Sequence, residues 1–369
     1  MAFRPLTSAA QSAYAELFET AQQQDLSRSV AGLSGSFNRK AVRGATYWYY
    51  QYTETGSGKL RQVFVGPDSP RLQELVTRAK EKSGNSTAAA AKAAIALGCA
   101  AQTPVHYRIV RRLNEIGFFH SGGVLIGTHA FLAMGNALGV GWGDLARTQD
   151  LDFAHAGGSF EVALPGNLQV ATTDAIASLE SGFLPVPGFR PGERTGSFTN
   201  KRDRHLRIDF LTPLVGARQE VEVHEGLGVP LQPMRFLEFI LEDVQQAVVI
   251  SALGATLVNI PDPVRFALHK LIVFVERRTQ SPQKAIKDLH QASALIEVLA
   301  QFRKDDLLQR WSDLVQRGPG WRKRAKAAIA PLTERAGDTE IVAELASVAA
   351  PPAKVPASRS PQRRETRRR

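Results

Sequence analysis

Three aspartates, a glycine and a threonine are spaced for chemistry on phosphates. Asp150 and Asp152 stand two apart in Thr148-Gln149-Asp150-Leu151-Asp152-Phe153. On a strand, side chains at i and i+2 leave the same face, so both acids reach one metal site. About twenty residues upstream, the apolar run Val124-Leu125-Ile126 enters Gly127-Thr128 and then a helical pattern. A glycine-hydroxyl turn that opens a helix can cradle phosphate with backbone N–H groups and the hydroxyl. Asp209, between Ile208 and Phe210, supplies a third carboxylate that should face a site or a partner rather than the core. Two divalent ions bridging an attacking oxygen, a phosphate and a leaving group need few protein ligands beyond carboxylates. The set implies metal-assisted phosphoryl or nucleotidyl transfer.

Cations further along the chain fit the same chemistry. Lys270 and Lys287 are candidate phosphate partners, because an ammonium is a compact charge for anions. Lys270 and Arg277 lie seven apart and share a helix face, while Asp288 fits a structural pair with Arg277 or another cation. Arg190, Arg194, Lys201, Arg202 and Arg204 crowd the stretch before Asp209 and fit either a closing loop or a solvated one. His129 fits a phosphate donor or an ordinary capping or packing residue.

The elements that must hold these groups follow from periodicity. Residues 7–30 read as a surface helix, and 41–52 with 60–65 as a β-hairpin closed by a polar loop. Its aromatic row, Tyr47, Trp48, Tyr49, Tyr50 and Tyr52, fits base stacking or a ribbon packed on both sides. Residues 71–82, 88–101 and 105–118 read as helices, with Lys80/Lys82 and Arg111/Arg112 as phosphate contacts or solvated faces. Beyond the paired acids, 159–164 alternates as a strand, 171–180 is helical, 187–205 is a long loop, and 206–211 is the Asp209 strand. Short strands at 221–223, 247–250 and 255–260 flank a helix at 234–246, and helices follow over 263–278, 282–302, 305–317 and 321–336. Asp262 before Pro263 reads as an N-cap with proline in the first turn.

This gives four units: a helix-plus-hairpin module at 1–115, an α/β core at 116–260, a helical domain at 261–349 and a basic tail at 350–369. Of the net +11, the tail from residue 351 carries +6, so it binds polyanions non-specifically or serves as a solubilising extension. Cys99 is the single cysteine, which excludes an internal disulfide and a cysteine-cluster zinc site. The first twenty residues lack the apolar core of a secretory signal, and no segment is apolar enough for a membrane span. A cytoplasmic setting without membrane partners is expected.

A lone Asp-x-Asp also occurs in metal-dependent glycosyltransferases, but the combination here resembles the polymerase-β-like nucleotidyltransferase superfamily. That superfamily pairs a hydrophobic-Gly-Gly/Ser turn with Asp-x-Asp and a later strand Asp, matched by Ile126-Gly127-Thr128, Asp150-Leu151-Asp152 and Asp209. Closer is a bacterial nucleotidyltransferase-like branch related to abortive-infection toxins, matched by Gly127–Phe131, Thr148–Phe153 and Arg207–Pro213. Pro263 to Leu271 is similar to that branch's Pro-x-Arg-aromatic…His-Lys-Leu helix, and Arg277, Lys284, Lys287, Asp288 and Leu289 to its continuation. The hairpin is similar as well, so the likeness spans roughly residues 35 to 300; threonine at 128, where many members carry serine, keeps the hydroxyl.

The resemblance implies an α/β (α+β) nucleotidyltransferase core with a mixed sheet, moving an NMP from an NTP to a hydroxyl and releasing pyrophosphate. Asp150 and Asp152 would hold two Mg2+ (or Mn2+) ions. Asp209 would hold the catalytic metal and assist deprotonation, Gly127 and Thr128 would grip the β and γ phosphates, and Lys270 and Lys287 would line the nucleotide. The acceptor is an RNA end, a protein or a small molecule, and a toxin-like role would add an antitoxin partner. The alternative is an inactive nucleotide- or RNA-binding scaffold of the same fold.

Overall fold

The computed structural model describes residues 3–31, 35–42, 44–53, 60–80, 87–146, 148–156, 170–177, 179, 182–186, 194–214, 216 and 220–350. The expected strand at 159–164, Lys82, Arg190 and the tail from 351 lie outside them.

Alternation in two short segments builds the centre of the molecule. In Asp150–Ala154 and Arg207–Pro213, Leu151, Phe153, Ile208 and Phe210 point to one side and are fully buried, while Asp150, Asp152, Arg207 and Asp209 alternate onto the other. The two strands run parallel, with Asp209 directly beside Asp152 and Arg207 beside Asp150. Phe153 and Phe210 stack at 5.5 Å between ring centroids, and Phe118 meets both edge-on. Each such buried ring contributes about 2–3 kcal/mol of hydrophobic free energy, which fixes the register that juxtaposes the acids.

Val124–Ile126 joins Asp150–Ala154 antiparallel, placing Ile126 opposite Asp152. On the other side, Val229–Met234 runs parallel to the far half of Arg207–Pro213 and pairs antiparallel with Glu222–His224. The near half of Arg207–Pro213 is taken by Ser197–Asn200, antiparallel, which in turn pairs with Phe183–Pro185. The protein is therefore an α/β (α+β) fold with a mixed central sheet.

Four expectations change. The loop expected over 187–205 contains the strand Ser197–Asn200, held by the Asp209 strand. The expected helix at 234–246 is a single turn, Glu238–Leu241, because Phe236 takes a left-handed φ of 66° and residues 244–246 pair with 259–261. The N-terminal hairpin is a three-stranded antiparallel sheet, Gly35–Val42, Ala45–Thr53 and Leu60–Pro67, with a turn at Gly44 dividing the segment read as one strand from 41. The alanine-rich helix stops at Ala96 rather than 101, with Gly98 at φ 113° beyond it.

The antiparallel pair Val244–Ser251 and Gly254–Pro261 links the two ends of the chain. Val248, Ile250, Ala255 and Leu257 pack on Ala10, Tyr14 and Leu17 of the helix Ser8–Ala31 and on Ala91 and Ala94 of Thr87–Ala96. The rest of the core runs from Tyr107 through the central sheet into the C-terminal helices Pro263–Arg277, Pro282–Phe302, Lys304–Gln316, Pro319–Ala336 and Glu340–Ala349. Asp262 caps the first of these, accepting from the backbone N–H of Val264 and Arg265 at 2.9 and 3.2 Å, as the sequence predicts.

Candidate active site

Gly127 sits where strand becomes helix, at the end of Val124–Ile126 and the start of Gly127–Leu138. Its φ is 66°, and a Cβ there would lie 2.2 Å from Asp152 Oδ2. Only glycine admits both the backbone turn and the carboxylate against it. The helix start has no side-chain cap, so its first N–H groups are left to other partners beside two acids.

Asp152 and Asp209 face each other across the parallel pair. Burial, then the neighbouring Asp209 and Asp150, push the Asp152 carboxyl up to about 6 against the pull of Lys270 and Arg277. Asp209 is held in place: the Ser197 hydroxyl and Arg207 Nε (3.0 Å) both donate to its Oδ1, and Arg207 also donates to Ser197 Oγ at 2.9 Å. Asp150 accepts from Lys284 Nζ at 3.4 Å. Ser197 and Arg207 have no place in a reading based on isolated acids. An arginine two residues before Asp209 on the same strand face is the signal that marks Arg207, whereas Ser197 has none.

The opposite wall comes from two helices. On Pro282–Phe302, Lys284, Asp288 and Gln291 recur at helical spacing, with Lys287 beside them. Asp288 is buried and accepts from Lys270 Nζ at 2.5 Å and Arg277 Nη1 at 2.9 Å. Lys270 is thus ion-paired inside the protein, and the Arg277–Asp288 pair offered by the sequence is present. Burial lowers the Lys287 pKa and Lys270 adds to that, against the pull of Asp288, Asp150 and Asp152.

Thr128 is buried, and its hydroxyl accepts from Gln291 Nε2 at 3.3 Å; the same amide group donates to the Leu145 carbonyl at 3.0 Å. Its hydroxyl proton is left to be donated, but the side chain is placed between helices rather than on the surface. His129 is buried edge-on against His106 at 4.5 Å, and neither of its ring nitrogens has a hydrogen-bond partner among the described residues. Burial, then His106 and Lys287, hold its pKa well below the ordinary value, so it is a neutral imidazole. Of the cations before Asp209, Arg204 lines an open cleft of about 580 Å³ with Thr148, Gln149, Asp150, His205 and Arg207.

Among the described residues, no three acid, imidazole or thiol side chains are gathered closely enough to hold a metal alone. The donor set still fits Mg2+, which takes one or two carboxylates and completes its shell with water and phosphate oxygens. Two carboxylates in register, one with a pKa pushed up by burial and then by the other, form a pocket of negative charge that a divalent cation would relieve.

A glycine cradle against paired strand acids, faced by a cationic helix wall, is the arrangement of a phosphate-handling enzyme. A family model described as Nucleotidyltransferase matches residues 105–316, more than half of the chain, and the chain belongs to that nucleotidyltransferase family. The match takes in Gly127, all three aspartates and the Lys270–Asp288 wall. No curated protein and no solved structure matches the chain. No helix of the described residues is long and apolar enough to cross a membrane.

Proposed function

We propose that the protein moves an NMP from an NTP to a hydroxyl acceptor and releases pyrophosphate, in a reaction that depends on Mg2+ or Mn2+. The observation that carries this is the in-register pairing of Asp152 with Asp209 beneath the Gly127 turn. Asp150, Asp152 and Asp209 would hold the metal, which when bound supplies Lewis-acid polarisation of the α-phosphate and neutralises the leaving group. The backbone at Gly127 would receive the β and γ phosphates, with Lys287 and Lys284 on the facing wall as their counter-charges. Lys270, already bound to Asp288, would act through that pair rather than by direct grip.

The acceptor would enter by the open cleft at Arg204 and Arg207, next to Asp209. Its oxygen would form the new bond to the α-phosphorus as the α–β bridging bond breaks. Asp209, held by Ser197 and Arg207, would take the hydroxyl proton through its other oxygen. An RNA end and a protein hydroxyl are the two acceptor classes to test first. A toxin-like role with an antitoxin partner would be this chemistry turned on a cellular RNA or protein.

One observation favours a second reading, a binding scaffold without turnover: Oδ1 of Asp209 is already occupied by two donors that compete with a metal. Incubation with each α-labelled NTP, Mg2+ and total cell RNA or protein separates the two. Transfer of label that disappears in Asp150→Ala and Asp152→Ala supports the enzyme. Transfer that survives both substitutions refutes the site, and nucleotide binding without transfer to any acceptor supports the scaffold.

A further inference from the structure

The family match begins at residue 105, so the N-terminal three-stranded sheet lies outside it. Its two faces differ. Trp48 and Tyr50 are buried on the inner face, where Trp48 Nε1 donates to Asp68 at 2.7 Å. The outer face carries Asn38 and Lys40, Tyr47, Tyr49 and Gln51, and Gln62 and Phe64 from the three strands in turn. The Tyr47 and Tyr49 rings meet Phe64 at 5.8 and 5.6 Å, so three rings form one aromatic surface, and Phe64 leaves 43% of its area exposed. Lys40 Nζ lies 5.5 Å from the Tyr49 ring centre. Around the rings, Asn38 and Gln62 both donate to Gln51 Oε1, at 3.2 and 2.9 Å, and Lys40 donates to Gln62.

Charge says what such a face would meet. Residues 35–66 hold five Lys/Arg and one Glu, a net +4, whereas the chain outside the tail carries only +5. The described residues of the three strands hold Arg39, Lys40 and Arg61 and no acid, and Lys40 stands exposed on the outer face beside the rings. Exposed rings that accept any base, amide side chains around them and a local positive charge together match a flexible polyanion with aromatic bases. A protein partner of ordinary mixed charge would gain nothing from that surplus.

We infer that the outer face of this sheet binds single-stranded polynucleotide, bases stacking on Tyr47, Tyr49 and Phe64 and a phosphate drawn to Lys40. The inference is independent of the catalytic reading, since binding is measured without NTP or metal.

The test is fluorescence anisotropy of the full chain with labelled U12 and dT12, in EDTA, at 50 and 200 mM salt. Binding should weaken as salt rises. The double substitution Tyr49→Ala/Phe64→Ala should lower affinity roughly 10–100-fold, while Tyr49→Phe and Phe64→Tyr, which keep the rings, should leave it within about twofold. Lys40→Gln, at an exposed site, should reduce both affinity and salt slope by the amount of about one phosphate contact. It serves as the readout if circular dichroism shows the double variant unfolded. Comparing U12 with dT12 tells whether RNA or DNA is preferred. Unchanged affinity in a folded ring-deleted variant would overturn the inference and leave the binding to the tail. So would ring deletion that dissolves a dimer in light scattering without touching oligonucleotide affinity, which would make the face a contact between two copies.

Discussion

The two walls of the site treat charge in opposite ways. On the sheet side, Asp152 and Asp209 are set in register, and burial with its acid neighbours brings the Asp152 carboxyl up to about 6. On the helix side, Lys270 and Arg277 converge on Asp288, whose pKa falls below the ordinary carboxylate value because the two cations outweigh its burial. The helix wall gathers two cations on one acid, while on the sheet wall Asp209 is held by Ser197 and Arg207 and Asp152 is raised by its own burial and its acid neighbours. On the proposed function, the helix wall would serve stability first and the sheet wall would be the seat of the cation.

The largest effects should fall on the sheet wall. Asp152→Ala and Asp209→Ala are each expected to lower nucleotidyl transfer by at least about 10³-fold, measured with labelled NTP, and Asp152→Ala should do so with the melting temperature not reduced. The reverse pattern belongs to the helix wall. Asp288→Ala leaves Lys270 and Arg277 without their shared buried partner and should cost about 3–5 kcal/mol in a denaturant titration. If Asp288→Ala melts like the native chain, the division between the walls is wrong.

Lys287 divides the two roles. Its lowered pKa marks a half-buried amine near Asp150 and Asp152, and Lys287→Met should raise the KM for NTP about tenfold with a smaller change in kcat. An unchanged KM would confine phosphate binding to the Gly127 turn.

The last expected effect is a gain. A carboxyl whose folded pKa is raised from 3.8 to about 6 destabilises the fold increasingly as pH rises through that interval and in full above it, since the unfolded chain ionises it more easily. In metal-free protein at pH 7.5, Asp152→Asn should therefore be more stable by up to about 3 kcal/mol, and the difference should shrink as pH falls below about 6 and close below 3.8. Buried histidines shift stability the other way: His155 and His269, lowered to about 4 and 3, make the native chain less stable as pH falls below about 6.5. The comparison between variant and native chain at each pH removes their contribution.

Much of this was legible because strand alternation is a strong signal. Asp150-Leu151-Asp152-Phe153 and Arg207-Ile208-Asp209-Phe210 each state which face is core, and two strands so patterned need only lie side by side to bring the acids together. The helix Pro282–Phe302 could be bounded to the residue from its proline start and apolar period. What escaped depended on partners. Ser197-Phe198-Thr199-Asn200 is too short and too polar in its surroundings to read as a strand until Arg207–Asp209 pairs with it, so the hydroxyl that steadies Asp209 stayed hidden. Gly35–Val42 was lost because its outer face is polar. Residues 234–246 carry helical composition, yet pairing with the Gly254–Pro261 strand outweighs it. Nor does spacing reveal that Gln291, seven residues beyond Lys284, occupies the Thr128 hydroxyl.

The claim that the sheet wall is the cation seat is tested most directly by Mn2+ binding followed by electron paramagnetic resonance, with a non-hydrolysable NTP analogue present. The native chain should bind one to two Mn2+ per molecule in a manner that depends on the analogue, and Asp152→Asn should lose that binding while keeping its fold. Equal Mn2+ binding by the native chain and Asp152→Asn would contradict the account.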